Sequence, residues 1–385
     1  MPITLLSVFT IKSGHPARNS KSMKLSDMAR RSIIMGPVLL CCWTTVLLSQ
    51  DTSRTTLSAI YPLPIIFYTP ETGIAGGAAA LYLYRDSTLS RASAVTGDII
   101  YTQKKQIILE LSGDLYFRGG TYRLLANTKF QKYPNKFFGV GNDTPESNEE
   151  NYTSQKVLFE AVLYRNVLSH MNAGPAVRAE HSSVRETAPT GLLASGVIPG
   201  SKGGSLAGIG FVANWDSRDN TIAAQSGSLY QITTLLYRSS FGSDYSYTDV
   251  QIDTRNFFEV LAGQVLAVQA AAEFIDGIAP FYGMANFGGQ NLVRGYFDGR
   301  YRDRNGIAVQ AEYRFPVWWR FGMVGFAGAA QVANKVGQFG LKRFWFAGGI
   351  GLRFAWNPEE RVNLRLDYGV GRNSSGMYIT VTEAF

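Results

Sequence analysis

Short stretches in which apolar and polar residues alternate recur from about residue 72 to the last residue of the chain. A strand with this alternation has one face suited to an apolar medium and one suited to water. Most stretches are near the about 9–11 residues that a tilted strand needs to cross a bilayer. The pattern predicts sixteen strands, which are 72–85, 92–103, 106–118, 121–133, 154–165, 171–182, 204–215, 228–238, 246–258, 263–275, 281–288, 306–315, 322–333, 345–355, 362–371 and 376–385.

The last of these strands stops on an aromatic residue, Phe385. Ile379, Val381 and Phe385 share one face, on which Glu383 is the polar exception. A membrane barrel must pair its last strand with its first strand to remove the open sheet edge, and aromatic rings are favoured at the membrane interface. The pattern favours an all-β, transmembrane antiparallel barrel with the terminal ring at the interface. The alternative is an edge strand of a soluble sandwich.

Composition supports the barrel. The chain has 40 Gly, 20 Tyr and 23 Phe, only 17% charged residues and a mean hydropathy of -0.04. Soluble domains carry about 25% charged residues, and a helical membrane protein needs apolar runs of about 20 residues. A barrel hides its apolar content by alternation, so its mean hydropathy stays near neutral.

Residues 1–49 have the features of a signal peptide. The stretch 33–48 is apolar or small throughout and follows basic residues, and cleavage is expected near 49–50. Met23 or Met28 is a candidate for the true start. We expect residues 50–71 to form a short, irregular periplasmic segment and residues 72–385 to form the barrel. Because the predicted number of strands is even, the first strand should begin and the last strand should end on the periplasmic side.

The two cysteines, Cys41 and Cys42, both lie in the predicted signal peptide. Its removal leaves no thiol for disulfide or metal chemistry. Residues 1–49 also hold six Lys or Arg and one acidic residue, a net of +5, so the formal charge of +8 falls to +3. The basic pI is therefore no argument for a nucleic-acid partner.

Three local patterns characterise the predicted barrel. The first pattern runs over 214–220 with a later glycine, and its residues of interest are Asp216, Arg218, Asp219 and Gly227. The second runs over 288–303 and contains Val293, Arg294, Gly295 and Tyr296. The third combines 349–354, 364–369 and Phe385.

Together these motifs resemble the BamA/TamA superfamily of outer-membrane barrels, also called the bacterial surface antigen family, over roughly residues 64–385. The resemblance implies location in the bacterial outer membrane and a VRGY loop that folds back into the lumen. It also implies that Phe385 serves as an assembly signal for the host barrel-assembly machinery. The chain departs from the family pattern at Gly328, where an acidic residue is usual, and at Ala224, where a proline is usual.

The same resemblance implies periplasmic POTRA modules before the barrel, but the segment 50–71 is too short to fold as one. The chain therefore resembles a truncated branch of the superfamily that lacks POTRA domains.

Arg294 is the residue whose chemistry is most constrained. A guanidinium in a barrel lumen needs an acidic partner, because an unpaired buried charge is costly. Glu312 and Asp367, on predicted neighbouring strands, are the candidate partners. The alternative is a loop arginine in solvent.

Glycines near the two barrel ends suggest a weak closure. Gly73, Gly76 and Gly77 fall in the first predicted strand, and Gly376 falls in the last. Glycine weakens a strand because it offers no side chain for packing. We therefore expect a loose seam between the first and last strands.

The candidate chemistry points away from enzymes. After the signal peptide the chain has only His170 and His181, with no acidic residue at a fixed spacing that would orient either ring. We expect no catalytic residue, no metal site and no cofactor. The predicted function is assistance in inserting or translocating client proteins or lipids, or in outer-membrane homeostasis, with outer-membrane lipids as partners. The alternative is a passive pore or structural barrel.

Overall fold

The structure, a computed structural model, describes residues 56–86 and 92–385. Its main element is a closed antiparallel barrel of sixteen strands, which confirms the predicted fold class. The barrel strands are β1 Thr56–Thr69, β2 Gly73–Asp86, β3 Ser93–Thr102, β4 Ile107–Phe117, β5 Tyr122–Phe137, β6 Glu150–Leu168, β7 Met171–Arg185, β8 Gly203–Asp216, β9 Gly227–Tyr237, β10 Tyr247–Leu261, β11 Gln264–Gly277, β14 Asn305–Trp318, β15 Phe321–Ala333, β16 Trp345–Asn357, β17 Val362–Gly371 and β18 Ser374–Val381.

The remaining strands, β12 Ala285–Phe287 and β13 Tyr301–Asp303, form a separate two-stranded sheet inside the connection between β11 and β14. Short 3-10 turns are found at Arg118–Gly120, Glu146–Asn148, Ser239–Phe241, Phe281–Gly283, Val336–Gln338 and Leu341–Arg343. In the described part of the chain, none of the helices has the length and apolar character needed to cross a membrane.

The two ends of the barrel differ in their connections. At one end, here called the short-turn end, strands are joined by tight turns such as 169–170, 262–263 and 319–320. At the other, the loop end, connections such as 186–202 and 278–304 are much longer. Exposed aromatic side chains cluster at the short-turn end, and they include Trp318, Trp319, Phe321 and Trp356. Such a cluster is typical of an aromatic girdle at a membrane interface.

Alternation along the strands separates two environments. On β17, Leu364, Leu366 and Tyr368 are exposed on the outer wall, whereas Arg365 and Asp367 are buried. On this strand, polar side chains therefore point into the lumen and apolar ones cover the outside, as expected for a barrel in lipid.

The expectation of an irregular segment over 50–71 is wrong for its described part, because Thr56–Thr69 forms β1 and pairs with β2 along its whole length. Pro62 and Pro64 made this stretch look irregular, yet proline is tolerated at the edge of a sheet. The predicted barrel strand 281–288 is also wrong. Only Ala285–Phe287 is extended in this range, and it belongs to the separate two-stranded sheet and not to the barrel wall. These two errors offset each other in the count of sixteen. The predicted signal peptide, 1–49, lies outside the described residues.

Candidate functional site: the charged lumen and the seam

The connection 278–304, here called the VRGY loop, lies with its tip against the inside of β17. Val293 and Gly295 have left-handed backbones, with φ of 55° and 119°. A Cβ on Gly295 would lie 2.9 Å from the main-chain carbon of Val370. On the wall, a Cβ on Gly369 would lie 2.7 Å from the main-chain oxygen of Arg294. Glycine on both sides is therefore what allows loop and wall to approach so closely.

Arg294 is 1% exposed and lies between two carboxylates that are fully buried. Its Nη2 is 2.8 Å from Glu312 Oε2, and its Nη1 forms an ion pair with Asp367. The structure thus brings both candidate partners to the same guanidinium. Phe326 is a third partner that the sequence analysis missed, with its ring centroid 3.7 Å from the guanidinium carbon. It stands two residues before Gly328, on the same face of β15, where an aromatic residue offers a cation–π contact.

The pair around Arg294 is part of a larger charged network. Arg353 Nε is 2.7 Å from Glu383 Oε2, and its Nη1 is 2.5 Å from Asp367 Oδ1. Arg314 Nη2 is 3.0 Å from Glu312 Oε1. Each carboxylate therefore contacts at least two guanidiniums, which offsets the cost of burying charge.

Arg365 joins the same network from β17. Its Nε donates to Thr380 Oγ1 at 2.8 Å, and its Nη2 donates to the main-chain oxygen of Gln290 at 3.1 Å. The network therefore reaches from the VRGY loop to the last strand. Apart from Arg294, its arginines and Glu383 were not singled out as site residues from sequence. The arginines lie at inward positions of alternating strands, whereas Glu383 follows β18 and reaches the lumen only because the chain turns at Thr382.

Tyr296 anchors the loop to the last three strands. Its hydroxyl donates to the main-chain oxygen of Phe346 at 2.8 Å and accepts from the main-chain nitrogen of Arg372 at 2.9 Å. The hydroxyl of Tyr378, on β18, accepts from the nitrogen of Gly295 at 3.1 Å. The tip of the VRGY loop thus holds β16, β17 and β18 together.

The same loop also contacts the turn before β2. Glu71 Oε1 accepts from the main-chain nitrogen of Asp298 at 2.9 Å, and Glu71 is only 6% exposed. Burial raises the pKa of the Glu71 carboxyl above its usual range, and the nearby negative charge of Asp298 raises this pKa further. The VRGY loop therefore connects the first hairpin to the last strand at the loop end.

The seam, defined as the boundary between β1 and β18, is much less complete than any other strand boundary of the barrel. The register has a single pair, Tyr68 with Ile379. Beyond β18, Thr382 has a left-handed φ of 72°, and the chain leaves the barrel wall for the lumen. Among residues 56–86 and 92–385, most of β1 thus has no partner strand on this side.

The seam glycines named from sequence are not where they were expected. Gly73, Gly76 and Gly77 lie in β2, which pairs fully with β1, because the first barrel strand begins at residue 56 and not at 72. Gly376 does lie in the last strand, opposite Gly369 of β17. The incomplete seam therefore has a different cause from the one predicted.

Phe385 lies inside the lumen at the short-turn end, which corrects the expectation of a ring at the membrane interface. It is 6% exposed, its ring centroid is 6.5 Å from that of Phe257, and the guanidinium of Arg314 lies 5.5 Å from it. The left-handed turn at Thr382 and the ion pair of Glu383 with Arg353 direct these residues inward. The predicted strand 376–385 accordingly ends at Val381.

The first sequence motif forms the turn 217–226 at the short-turn end. Arg218 Nη2 is 2.8 Å from Asp216 Oδ2, and Asp219 forms an ion pair with Arg361 of a neighbouring turn. Gly227 starts β9 with a left-handed φ of 91°. Ala224, which replaces the proline of the family pattern, is 4% exposed and packs in the cluster that contains Phe385.

The two histidines within the described residues lie outside this site. His181 Nδ1 is 3.0 Å from Ser205 Oγ, and the ring of His170 is 5.7 Å from that of Trp215. Neither side chain contacts the charged network.

Comparison with known proteins agrees with this architecture. The model of the Omp85 superfamily domain matches residues 95–380. A search of curated proteins finds no match. Within residues 56–86 and 92–385, all segments belong to the barrel, its turns and its loops, and none forms a POTRA domain.

Three solved structures are similar in fold. BamA from Haemophilus ducreyi lacking POTRA domains 1–3 has a TM-score of 0.59 at 14% identity, over 85% of this chain and 70% of that one. CdiB from Acinetobacter baumannii has a TM-score of 0.55 at 12% identity, over 86% and 60% of the two chains. CdiB from Escherichia coli has a TM-score of 0.52 at 10% identity, over 85% and 63%. The chain thus spans less than two thirds of either CdiB chain. By its matched domain and its fold, the chain belongs to the Omp85 superfamily.

Proposed function

We propose that this protein is a bacterial outer-membrane barrel that assists the insertion or translocation of proteins or lipids by opening laterally at the seam. The observation that carries this proposal is the single strand pair, Tyr68 with Ile379, between β1 and β18. An antiparallel boundary with so few main-chain bonds separates at a much lower cost than a complete ladder. In the membrane, the short-turn end would face the periplasm and the loop end the exterior.

The filled lumen supports a lateral route over a passive pore. The VRGY loop enters from the loop end, the charged network continues from its tip to Glu383, and the cluster around Phe385 occupies the short-turn end. A wide pore would need both to move. Single-channel recordings test this point, since large and stable open currents would favour the passive pore.

The seam can be tested with a reversible lock. In a background with Cys41 and Cys42 changed to Ser, the pair Tyr68→Cys and Ile379→Cys places two thiols at the one paired position of the seam. The purified barrel is reconstituted in vesicles, and the folding rate of an unfolded small outer-membrane barrel is followed by its shift on unboiled gels. We expect the oxidised form to lose the acceleration and the reduced form to regain it.

A matched control carries Ile350→Cys and Tyr368→Cys, which are opposite each other on the complete boundary between β16 and β17. Oxidation of this control should leave the acceleration unchanged. If the locked seam accelerates folding as well as the free seam does, the seam is only a closure and the barrel is structural. During its own biogenesis, we expect the protein to depend on the host barrel-assembly machinery.

A further inference from the structure

The inner face of the first hairpin is apolar over most of its length. Its inward side chains include Tyr61, Leu63, Ile65 and Phe67 on β1 and Ala79 and Leu81 on β2. None of the six is charged. By contrast, inward positions elsewhere carry Asp98 on β3, Asp253 on β10 and Glu312 on β14. A barrel wall normally has its apolar face outward only. This hairpin is apolar on both faces.

The free edge of β1 has a second unusual property, which follows from the direction of its main-chain groups. The oxygen of Ile74 accepts from the nitrogen of Gln103 at 2.7 Å, so the even residues of β2 point their main-chain groups toward β3. The odd residues of β2 therefore point toward β1. Because Ala75 is opposite Phe67, the odd residues of β1 bond β2 and its even residues point into the seam.

Pro62 and Pro64 are even residues, so both face the seam. Proline has no main-chain N–H, and two successive donor positions are therefore absent from the free edge. An incoming protein strand cannot form a continuous ladder along this stretch. The edge is therefore poorly suited to template a strand. A molecule that needs no main-chain hydrogen bonds can still lie against it.

The apolar surface continues through this open edge. On the outer wall, Ile60 and Ile66 are 68% and 75% exposed. On the inner wall, Leu63, Ile65 and Phe67 are half-buried, and Leu63 and Ile65 lie between the same two positions along the strand. Since no β18 residue pairs with this part of β1, hydrocarbon in contact with the outer wall meets no main-chain ladder on its way inside.

We propose that the hydrocarbon chain of a membrane lipid enters through the open part of the seam and lies along the inner face of the β1–β2 hairpin. This inference rests on the proposed function, in which the seam is the working part, and names lipid as its substrate class. A hydrocarbon chain needs no hydrogen-bond donors and gains free energy from covering apolar side chains that would otherwise face water. It therefore fits both the missing N–H groups and the apolar inner wall.

Fluorescence quenching tests this inference directly. In the Cys41→Ser, Cys42→Ser background, Leu63→Cys is labelled with bimane and the protein is reconstituted in phosphatidylcholine vesicles containing doxyl-labelled phosphatidylcholine. Ile66→Cys, on the outer wall, is the positive control. Ala271→Cys, at an inward position of the closed wall on β11, is the negative control. We expect the emission loss at position 63 to be close to that at position 66 and far above that at position 271.

Iodide in the aqueous phase separates the remaining outcomes. Quenching at position 63 by iodide but not by doxyl lipid would mean that water fills this space, and the inference would be wrong. Quenching by neither agent would mean that protein covers the wall, either residues 1–55 or a client strand, which also overturns it. Ile65→Cys repeats the measurement if Leu63→Cys fails to give a heat-modifiable folded band.

The two proposals fail in different ways. Doxyl quenching is measured on the resting barrel and needs no client. If the seam lock abolishes client folding but position 63 is quenched only by iodide, the lateral seam stands and the lipid assignment falls. If position 63 is quenched by doxyl lipid while the locked barrel remains fully active, the lipid binds but seam opening is not the activity.

Discussion

The two edges of the last strand behave differently, although they belong to the same eight residues. Toward β17, β18 is paired from Leu364 with Val381 to Gly371 with Ser374. Toward β1, it is paired only at Tyr68 with Ile379. The composition of β18 is common to both edges, so it does not explain the contrast. The extent of overlap differs: the register of that pair sets Val381, where β18 ends, opposite Ile66, so the rest of β1 lies beyond the last strand.

Tertiary contacts reinforce this contrast. The VRGY loop and its arginine network tie together β14, β16, β17 and β18, through Glu312, Arg353, Asp367 and Tyr378. The first hairpin meets that loop through Glu71. The last strands are therefore held by more tertiary contacts than the first hairpin. Opening of the seam would move the first hairpin away from them.

Replacing Arg294, at the centre of the charged network, should lower the stability of the folded barrel more than the other changes below. Arg294→Ala removes a guanidinium that Glu312 and Asp367 share, and because Arg353 still contacts both carboxylates we expect a cost of up to about 3–5 kcal/mol. We expect a lower temperature for loss of the folded band on unboiled gels. Arg343→Ala is the control, because its ion pair with Asp143 is largely exposed and such pairs contribute at most about 1 kcal/mol. Equal midpoints for the two variants would contradict the role of Arg294.

Two variants in the apolar cluster at the short-turn end distinguish a packing role of Phe385 from a role in assembly. Phe385→Ala and Phe257→Ala each remove one ring of the same buried cluster, and we expect each to cost about 2–4 kcal/mol. Both should lower the unfolding temperature of the folded protein. If Phe385 is also an assembly signal, Phe385→Ala alone will reduce the amount of barrel in the membrane. Equal membrane amounts for the two variants would leave Phe385 with a packing role only.

The contact between loop tip and wall can be loosened without removing any charge. Gly295→Ala places a Cβ 2.9 Å from β17 at a backbone φ of 119°, where we expect a cost of about 1–3 kcal/mol. The unfolding temperature should fall, and protease cleavage within the VRGY loop should become faster. Gly340→Ala is the matched control, since nothing lies within 4 Å of its added Cβ. A variant that unfolds and is cleaved like the control would show that the tip is not held at this position.

Loss of the contact between the VRGY loop and Glu71 of the first hairpin should change the stability least, and this change should depend on pH. A carboxyl whose pKa is raised by folding binds protons more tightly in the folded state, so its burial costs least when it is protonated. Stability should therefore rise as the pH falls from neutral toward the ordinary glutamate pKa of 4.5. Glu71→Gln should reduce this rise in the unfolding temperature, measured by gel shift at several pH values. An unchanged pH profile would remove Glu71 as its source.

The sequence was informative wherever alternation was regular. The predicted strand 121–133 overlaps β5 and the predicted strand 362–371 matches β17, because the inside and outside of a barrel demand opposite side chains. It was misleading over 56–69, where two prolines hide a strand, and over 281–288, where an apolar stretch packs against loop residues and not against lipid. In both places, the neighbours of the segment decide its structure.

At the charged site, the sequence by itself determined that Arg294 needs acidic partners, but it did not determine how these side chains are arranged. It was sufficient to predict a barrel, a loop arginine and two acidic residues that suit it, because a buried guanidinium must meet negative charge wherever it lies. Only the tertiary structure decided that Arg294 contacts both acidic residues and the ring of Phe326, that Phe385 turns into the lumen, and that β1 forms one side of an incomplete seam. These features depend on strand register and on the direction of main-chain groups between residues far apart in sequence, and neither is encoded in local alternation.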